Sequence, residues 1–95
     1  AYAILASGGD SVWPYAVLSV KDSSGQILYQ HERADFQPVF DSGNVADLDR
    51  MLQAVVDTGT GDDARLAGHI AAGKTGTTQN YRDAWFVGYS EGLVT

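Results

Sequence analysis

Ala71-Ala72-Gly73-Lys74-Thr75-Gly76-Thr77-Thr78, followed by Asp83-Ala84-Trp85-Phe86-Val87-Gly88-Tyr89, is the stretch whose reading decides the fold. Residues 70–78 are small or β-branched and residues 84–89 are aromatic-rich, so both segments are predicted to be strands. Gln79-Asn80-Tyr81-Arg82 supplies the turn between them, and Ser90-Glu91-Gly92 turns into a third strand. An extended chain alternates its side chains. Lys74 and Gly76 are therefore expected on one face, with Thr75 and Thr77 on the other.

The same residues satisfy a second pattern. Gly68, Gly73, Lys74 and Thr75 match G-x-x-x-x-G-K-[ST], which cradles phosphates where a strand leads in and a helix leads out. The lead-in here is Asp62-Asp63-Ala64-Arg65-Leu66-Ala67, which is no buried strand. The lead-out, Gly76-Thr77-Thr78, opens a helix poorly because of its glycine and β-branching. Only 20 residues (95 − 75) follow Thr75, too few for the rest of a nucleotide fold. The nucleotide-binding reading stays as an alternative that the flanks disfavour.

Working outward, residues 1–6 read as the last turns of a helix that Gly8-Gly9 can end. Residues 15–22 and 26–31 are predicted to form a β-hairpin around the turn Asp22-Ser23-Ser24-Gly25, with Pro14 at its entrance. Residues 33–43 are predicted to be loop. Asn44 is expected to cap a helix, with Asp47 completing a variant capping box. Val45, Leu48, Met51, Leu52, Val55 and Val56 make one apolar stripe for core packing, and Gly59 is the expected stop. Gly59-Thr60-Gly61 follows a helix and is read as a turn. The sum is helix end, hairpin, helix and antiparallel meander: an α+β piece.

Composition sets bounds. The chain has 95 residues, with 44% apolar and 19% charged residues, a globular composition. Twelve acidic residues against six basic ones give a net charge of −6, which argues against a nucleic-acid partner. There is no cysteine, so disulfides, thiol nucleophiles and thiolate-held metals are excluded. His31 and His69 lack metal-ligand spacing and are read as surface residues. No apolar run approaches the roughly 18 residues of a membrane span. Residues 1–6 read as mid-helix, and Gly92-Leu93-Val94-Thr95 as a strand cut short. The chain is therefore expected to be a piece of a longer protein.

Lys74-Thr75-Gly76 resembles the Lys-Thr-Gly signature of penicillin-recognising serine enzymes, whose other signatures are Ser-x-x-Lys and Ser-Asp-Asn. The ordered set resembles class A penicillin-binding proteins more closely. It comprises Lys74-Thr75-Gly76-Thr77-Thr78 with residues 83–89, Val55-Val56 with Gly59-Thr60-Gly61, Ala1-Tyr2-Ala3 with Gly8-Gly9, and the hairpin with Asp22 and Gly25. The resemblance spans nearly the whole chain. It implies that residues 1–95 are the C-terminal portion of a transpeptidase domain of the β-lactamase/transpeptidase-like fold. It further implies that Lys74 is catalytic, that Thr75 and Thr77 offer hydroxyls to a substrate carboxylate, and that Gly76 leaves room for the helix bearing the nucleophile. The Thr77 backbone N–H is then one oxyanion donor, typically worth about 3 kcal/mol in the transition state.

No serine here has a lysine three positions later, so the nucleophile is expected upstream and the piece alone is expected to be inert. Ser42-Gly43-Asn44 matches the loose Ser-x-Asn form but lies after the helix that this motif should precede, and is read as chance. The resemblance implies a peptidoglycan stem peptide as substrate, β-lactam antibiotics as ligands, and a glycosyltransferase domain in the same parent chain. It implies no cofactor and no metal, and an extracytoplasmic, membrane-anchored parent. A D-Ala-D-Ala carboxypeptidase or β-lactamase of the same fold, and a non-catalytic module that binds peptide at a strand edge, remain as alternatives. Trp85 and Phe86 are read as core anchors, and Asp83 as a structural hydrogen-bond acceptor beside Arg82.

Overall fold

Helix α1, Tyr2–Ala6, ends in a Schellman motif. The Gly8 N–H donates to Leu5 O at 3.0 Å and the Gly9 N–H to Ile4 O at 2.9 Å. Both glycines have positive φ, 79° and 106°. Gly9 has a second constraint: a Cβ there would lie 2.9 Å from Phe40 O, because the incoming segment at Val39 and Phe40 donates both N–H groups to Gly9 O. The computed structural model describes residues 1–79 and 82–95.

The hairpin forms with strands β1, Ser19–Lys21, and β2, Ile27–Gln30. The Asp22 carboxylate makes its turn, accepting from the Ser24 hydroxyl at 2.6 Å and from the N–H groups of Ser24 and Gln26 at 2.8 and 2.9 Å. The Ser24 hydroxyl first, then the Gln26 amide, holds this carboxyl below its ordinary range. Gly25 takes φ 86° as expected. The first strand is shorter than the sequence predicts. Residues 15–18 are extended in propensity, but only the His31 N–H to Leu18 O bond continues the ladder. Tyr15 instead stacks on His31, ring centroids 3.8 Å apart.

Helix α2 runs Ser42–Asp57, and its cap is Asp41 rather than Asn44. The Asp41 side chain accepts from the Asn44 N–H at 3.0 Å, which places Asn44 inside the first turn. Such a cap is typically worth about 1 kcal/mol. The predicted apolar stripe divides. Val45, Leu52 and Val56 are buried, whereas Leu48 and Met51 are exposed. At about 100° per residue, positions 45, 49, 52 and 56 share one face, and positions 48 and 51 lie on the flank. Gly59 does not end the helix through a left-handed conformation. It is required because a Cβ would sit 2.9 Å from both the Cα and the O of Val55.

Strands β3, Ala72–Thr77, β4, Ala84–Ser90, and β5, Leu93–Val94, form an antiparallel sheet in the order β3-β4-β5. The register pairs Gly73 with Gly88, Thr75 with Phe86 and Gly76 with Trp85. The expected turn at 79–82 includes Asn80 and Tyr81, which lie outside the described residues. Glu91 and Gly92, with φ 43° and 85°, make the two-residue turn into β5. α2 packs along β3 and α1 against β4. The result is the expected α+β architecture.

Phe86 is partly buried over Gly73 and Gly88 and acts as the anchor expected of it. A Cβ at Gly88 would lie 2.6 Å from the Phe86 ring, and one at Gly73 would overlap it. Trp85 is not a core anchor. It stands on the opposite face and is 70% exposed. Strand alternation admits only one of two adjacent aromatics to a given face.

The Cα radius of gyration is 17.6 Å, against about 12 Å for a compact chain of this length. The buried hydrophobics among the described residues are Val45, Leu52, Val56 and Ala72, while Trp13, Leu18, Leu28, Phe36 and Ile70 are all more than 60% exposed. So little burial cannot offset the conformational entropy of ordering the chain. The 95-residue chain expressed alone is predicted to show no cooperative thermal transition and strong binding of a hydrophobic dye. A sharp, high-temperature calorimetric melt contradicts this.

Candidate active site

The chemistry-bearing residues lie on β3, and the register decides what they present. The Thr78 N–H donates to Asp83 O at 3.1 Å, so residues 78 and 83 are a hydrogen-bonded pair. Pairs alternate along an antiparallel ladder. The N–H groups of Lys74 and Gly76 therefore turn towards β4, and those of Gly73, Thr75 and Thr77 turn away from it. Gly88 confirms the phase from the other side, because its N–H and O both bond Thr95 and not β3. β3 ends the sheet. Among the described residues no strand pairs with its outer edge, which offers the N–H and C=O groups of Thr75 and Thr77.

Lys74 and Gly76 start on one face and Thr75 and Thr77 on the other, as expected. The Lys74 side chain then crosses the outer edge. Its Nζ donates to Thr75 O at 2.8 Å and to Thr75 Oγ1 at 3.3 Å. Ammonium and hydroxyl thus meet at the edge rather than facing apart. Among the described residues no carboxylate forms an ion pair with Lys74, so its charge stands available to an anion in a chain of net charge −6. Gly76 is exposed, and a Cβ there would meet only Trp85 Cβ at 3.8 Å. Thr77 is exposed opposite Ala84. Trp85, paired with Gly76, stands on the face from which Lys74 springs.

Thr60 was not singled out by sequence reasoning, which took Gly59-Thr60-Gly61 for a turn. Its Oγ1 lies 2.8 Å from Thr75 Oγ1. The available signal was a polar residue between two glycines after α2, in a triplet that belongs to the family resemblance.

One side-chain bond ties the sheet to α2, and a second pair closes the far end of β3 onto β4. The Tyr89 hydroxyl donates to Asp49 Oδ1 at 2.7 Å, and Gln53 Nε2 donates to Asp49 Oδ2 at 2.6 Å. Tyr89 is the cross-strand partner of Ala72, where β3 begins. Burial, then the bond and charge of Asp49, push the Tyr89 phenol above its ordinary range, so the clamp holds throughout neutral pH. At the far end Asp83 accepts from the Thr78 hydroxyl at 3.3 Å, and its N–H donates to Thr78 Oγ1 at 2.9 Å. Asp83 is therefore a structural acceptor, with Thr78 as its donor.

The chain is extended from Ala72 to Thr77, so no helix N-terminus follows Thr75 and the phosphate-loop reading is overturned. Ser42 opens α2, a 16-residue helix roughly 24 Å long, and Thr60 follows its other end. Ser42 is thus no partner of Lys74. His69 lies 3.0 Å from Glu91, and among the described residues no cluster suited to a metal ion forms.

Comparison with known proteins shows which family the chain as a whole resembles. Residues 1–92 match the family described as penicillin binding protein transpeptidase domain. Proteins named penicillin-binding protein 1A from Rickettsia typhi and Aquifex aeolicus are 32% and 37% identical over 99% and 100% of this chain. The chain spans only 15% and 13% of their lengths. The D,D-transpeptidase domain of a peptidoglycan glycosyltransferase from Eggerthella lenta superposes with a TM-score of 0.81 at 29% identity, covering 92% of this chain and 21% of that one.

Amide hydrogen exchange on the intact protein tests the register. The amides of Thr75 and Thr77 are predicted to exchange fast, and those of Lys74 and Gly76 slowly. The reverse pattern would place the edge groups wrongly.

Proposed function

This chain belongs to the penicillin-binding protein transpeptidase family, and on that premise we propose that it supplies the Lys-Thr-Gly strand of a peptidoglycan transpeptidase acting through an acyl-serine. The observation that carries the proposal is the outer edge of β3, where a lysine ammonium, a threonine hydroxyl and two outward backbone N–H groups converge. Residues 1–95 are the C-terminal portion of the domain. The Ser-x-x-Lys and Ser-x-Asn elements come from the part of the parent protein that precedes them.

The substrate is a stem peptide ending in D-Ala-D-Ala. It lies extended along β3 and pairs with the free edge, as peptides do when they add a strand. Its terminal carboxylate receives hydrogen bonds from the Thr75 and Thr77 hydroxyls, with the Lys74 ammonium nearby. Charge-assisted bonds of this kind are roughly twice as strong as neutral ones. The upstream serine Oγ attacks the penultimate carbonyl carbon. The oxyanion that forms accepts from the Thr77 N–H. The C–N bond then breaks, and the terminal D-Ala leaves with the serine proton on its nitrogen. A second strand's amine attacks the ester, gives its proton to the departing serine oxygen and completes the cross-link. Lys74 serves as fixed charge and proton-relay partner, and Gly76 keeps the face beside it open to the serine-bearing helix. A β-lactam carries a carboxylate beside a strained amide and acylates the same serine.

The parent protein acts on the cell wall outside the cytoplasm. It is membrane-anchored, and it carries a glycosyltransferase domain that makes the strands to be joined. No cofactor enters the scheme.

Labelled penicillin tests the assignment. In the full-length protein Lys74→Ala is predicted to slow acylation at least about 100-fold, with the thermal midpoint unchanged. Undiminished labelling removes Lys74 from the mechanism. A wild-type protein that takes no label leaves only the non-catalytic peptide-binding reading.

A further inference from the structure

We propose that Thr60 is a positioning residue that orients the Thr75 hydroxyl towards an anionic ligand, an inference that rests on the acyl-transfer reading above. A threonine hydroxyl has one hydrogen and two lone pairs. At Thr75, Lys74 Nζ donates into one lone pair, and Thr60 Oγ1 sits 2.8 Å away. When a carboxylate reaches the edge, it needs the single Thr75 hydrogen. Thr60 then turns its own hydrogen onto the remaining lone pair. Thr75 becomes a fully committed donor, polarised by two donors behind it. Without Thr60 the Thr75 hydroxyl rotates freely and meets the ligand with one support fewer.

The loop is shaped for this contact. Thr60 stands between two closely packed glycines, the first with no room for a side chain and the second with little. A Cβ at Gly59 would lie 2.9 Å from the Val55 backbone, and one at Gly61 3.3 Å from Phe86 and from Val55 Cγ1. The Gly61 N–H donates to Val55 O at 2.9 Å, and Arg65 Nη2 donates to Asp57 O at 2.9 Å, closing the segment onto the end of α2. Thr60 itself is exposed. It contributes nothing to the buried core, yet the close approach of both flanks carries its hydroxyl to the outer edge of β3. Phe86, which packs on Gly61, is also the cross-strand partner of Thr75, so a single ring sets the distance between loop and strand.

The test uses the full-length protein, a labelled penicillin and its methyl ester, which lacks the anionic carboxylate. Thr60→Val is predicted to lower the second-order acylation rate with the free acid roughly 5–10-fold. The loss should fall on the saturation constant rather than the limiting rate, and the methyl ester should be little affected. Thr60→Ser is predicted to restore the wild-type preference for the acid. Should Thr60→Val lose its thermal transition, Thr60→Ala, which adds no bulk, takes its place. Acylation at the wild-type rate overturns the inference while leaving the transpeptidase reading intact, as does an equal loss with acid and ester. A wild-type protein that is not acylated overturns both.

Discussion

The seating of Phe86 across Gly73 and Gly88 is the contact on which the rest of the site depends. Both glycines stand where the ring must lie, and neither could carry even one carbon without displacing it. The ring locks β3 to β4 in a single register, since sliding the pair by one residue would put it on the other face. Register in turn decides the phase of the hydrogen-bond ladder. The phase decides which amides turn outward. The edge presented by Thr75 and Thr77 is therefore a consequence of a packing contact one strand away. The same ring touches Gly61 and so sets where Thr60 arrives.

What was legible in the sequence was local. Small, β-branched and aromatic residues mark β3 and β4, Gly8-Gly9 marks a helix end, and Asp22 with Gly25 marks a hairpin turn. Each rests on a few neighbouring residues whose conformational preferences agree. The failures are equally physical. Asn44 and Asp41 are both good caps, and only the position at which the chain turns into the helix separates them. Residues 15–18 have strand propensity but little to pair with. Trp85 and Phe86 are adjacent, and nothing local says which one the sheet buries. Thr60 lies 15 positions from Thr75, and no periodicity links a loop to a strand edge.

The exposed apolar side chains follow from how little of the chain is covered. Leu48 and Met51 continue the apolar surface of α2 beyond the face that packs on the sheet, and Trp85 stands clear on the face opposite Phe86. A surface of this kind is ordinary for elements whose packing partners lie elsewhere in a larger domain, and the relatives are several times longer than this chain. The parts that are well packed here are those joining α2, the following loop and β3. Those parts carry the candidate residues.

In the free chain Lys74 satisfies itself on its own strand, through Thr75 O and Thr75 Oγ1. That arrangement costs little to leave, because an exposed ammonium exchanges such bonds readily with water. On the proposed reading, a ligand pairing with the edge would compete for the Thr75 carbonyl and free one N–H of the ammonium, while its bond to Thr75 Oγ1 stays. A carboxylate arriving beside it would then capture that N–H with a stronger, charge-assisted bond. Binding and charge placement are thereby coupled through one carbonyl oxygen. An extended ligand with an anionic end gains both interactions, and a neutral one gains only the backbone pairing. On the proposed reading, a preference for an anionic peptide terminus would follow from the geometry of two adjacent residues, with the hydroxyl of Thr60 holding the second of them in place.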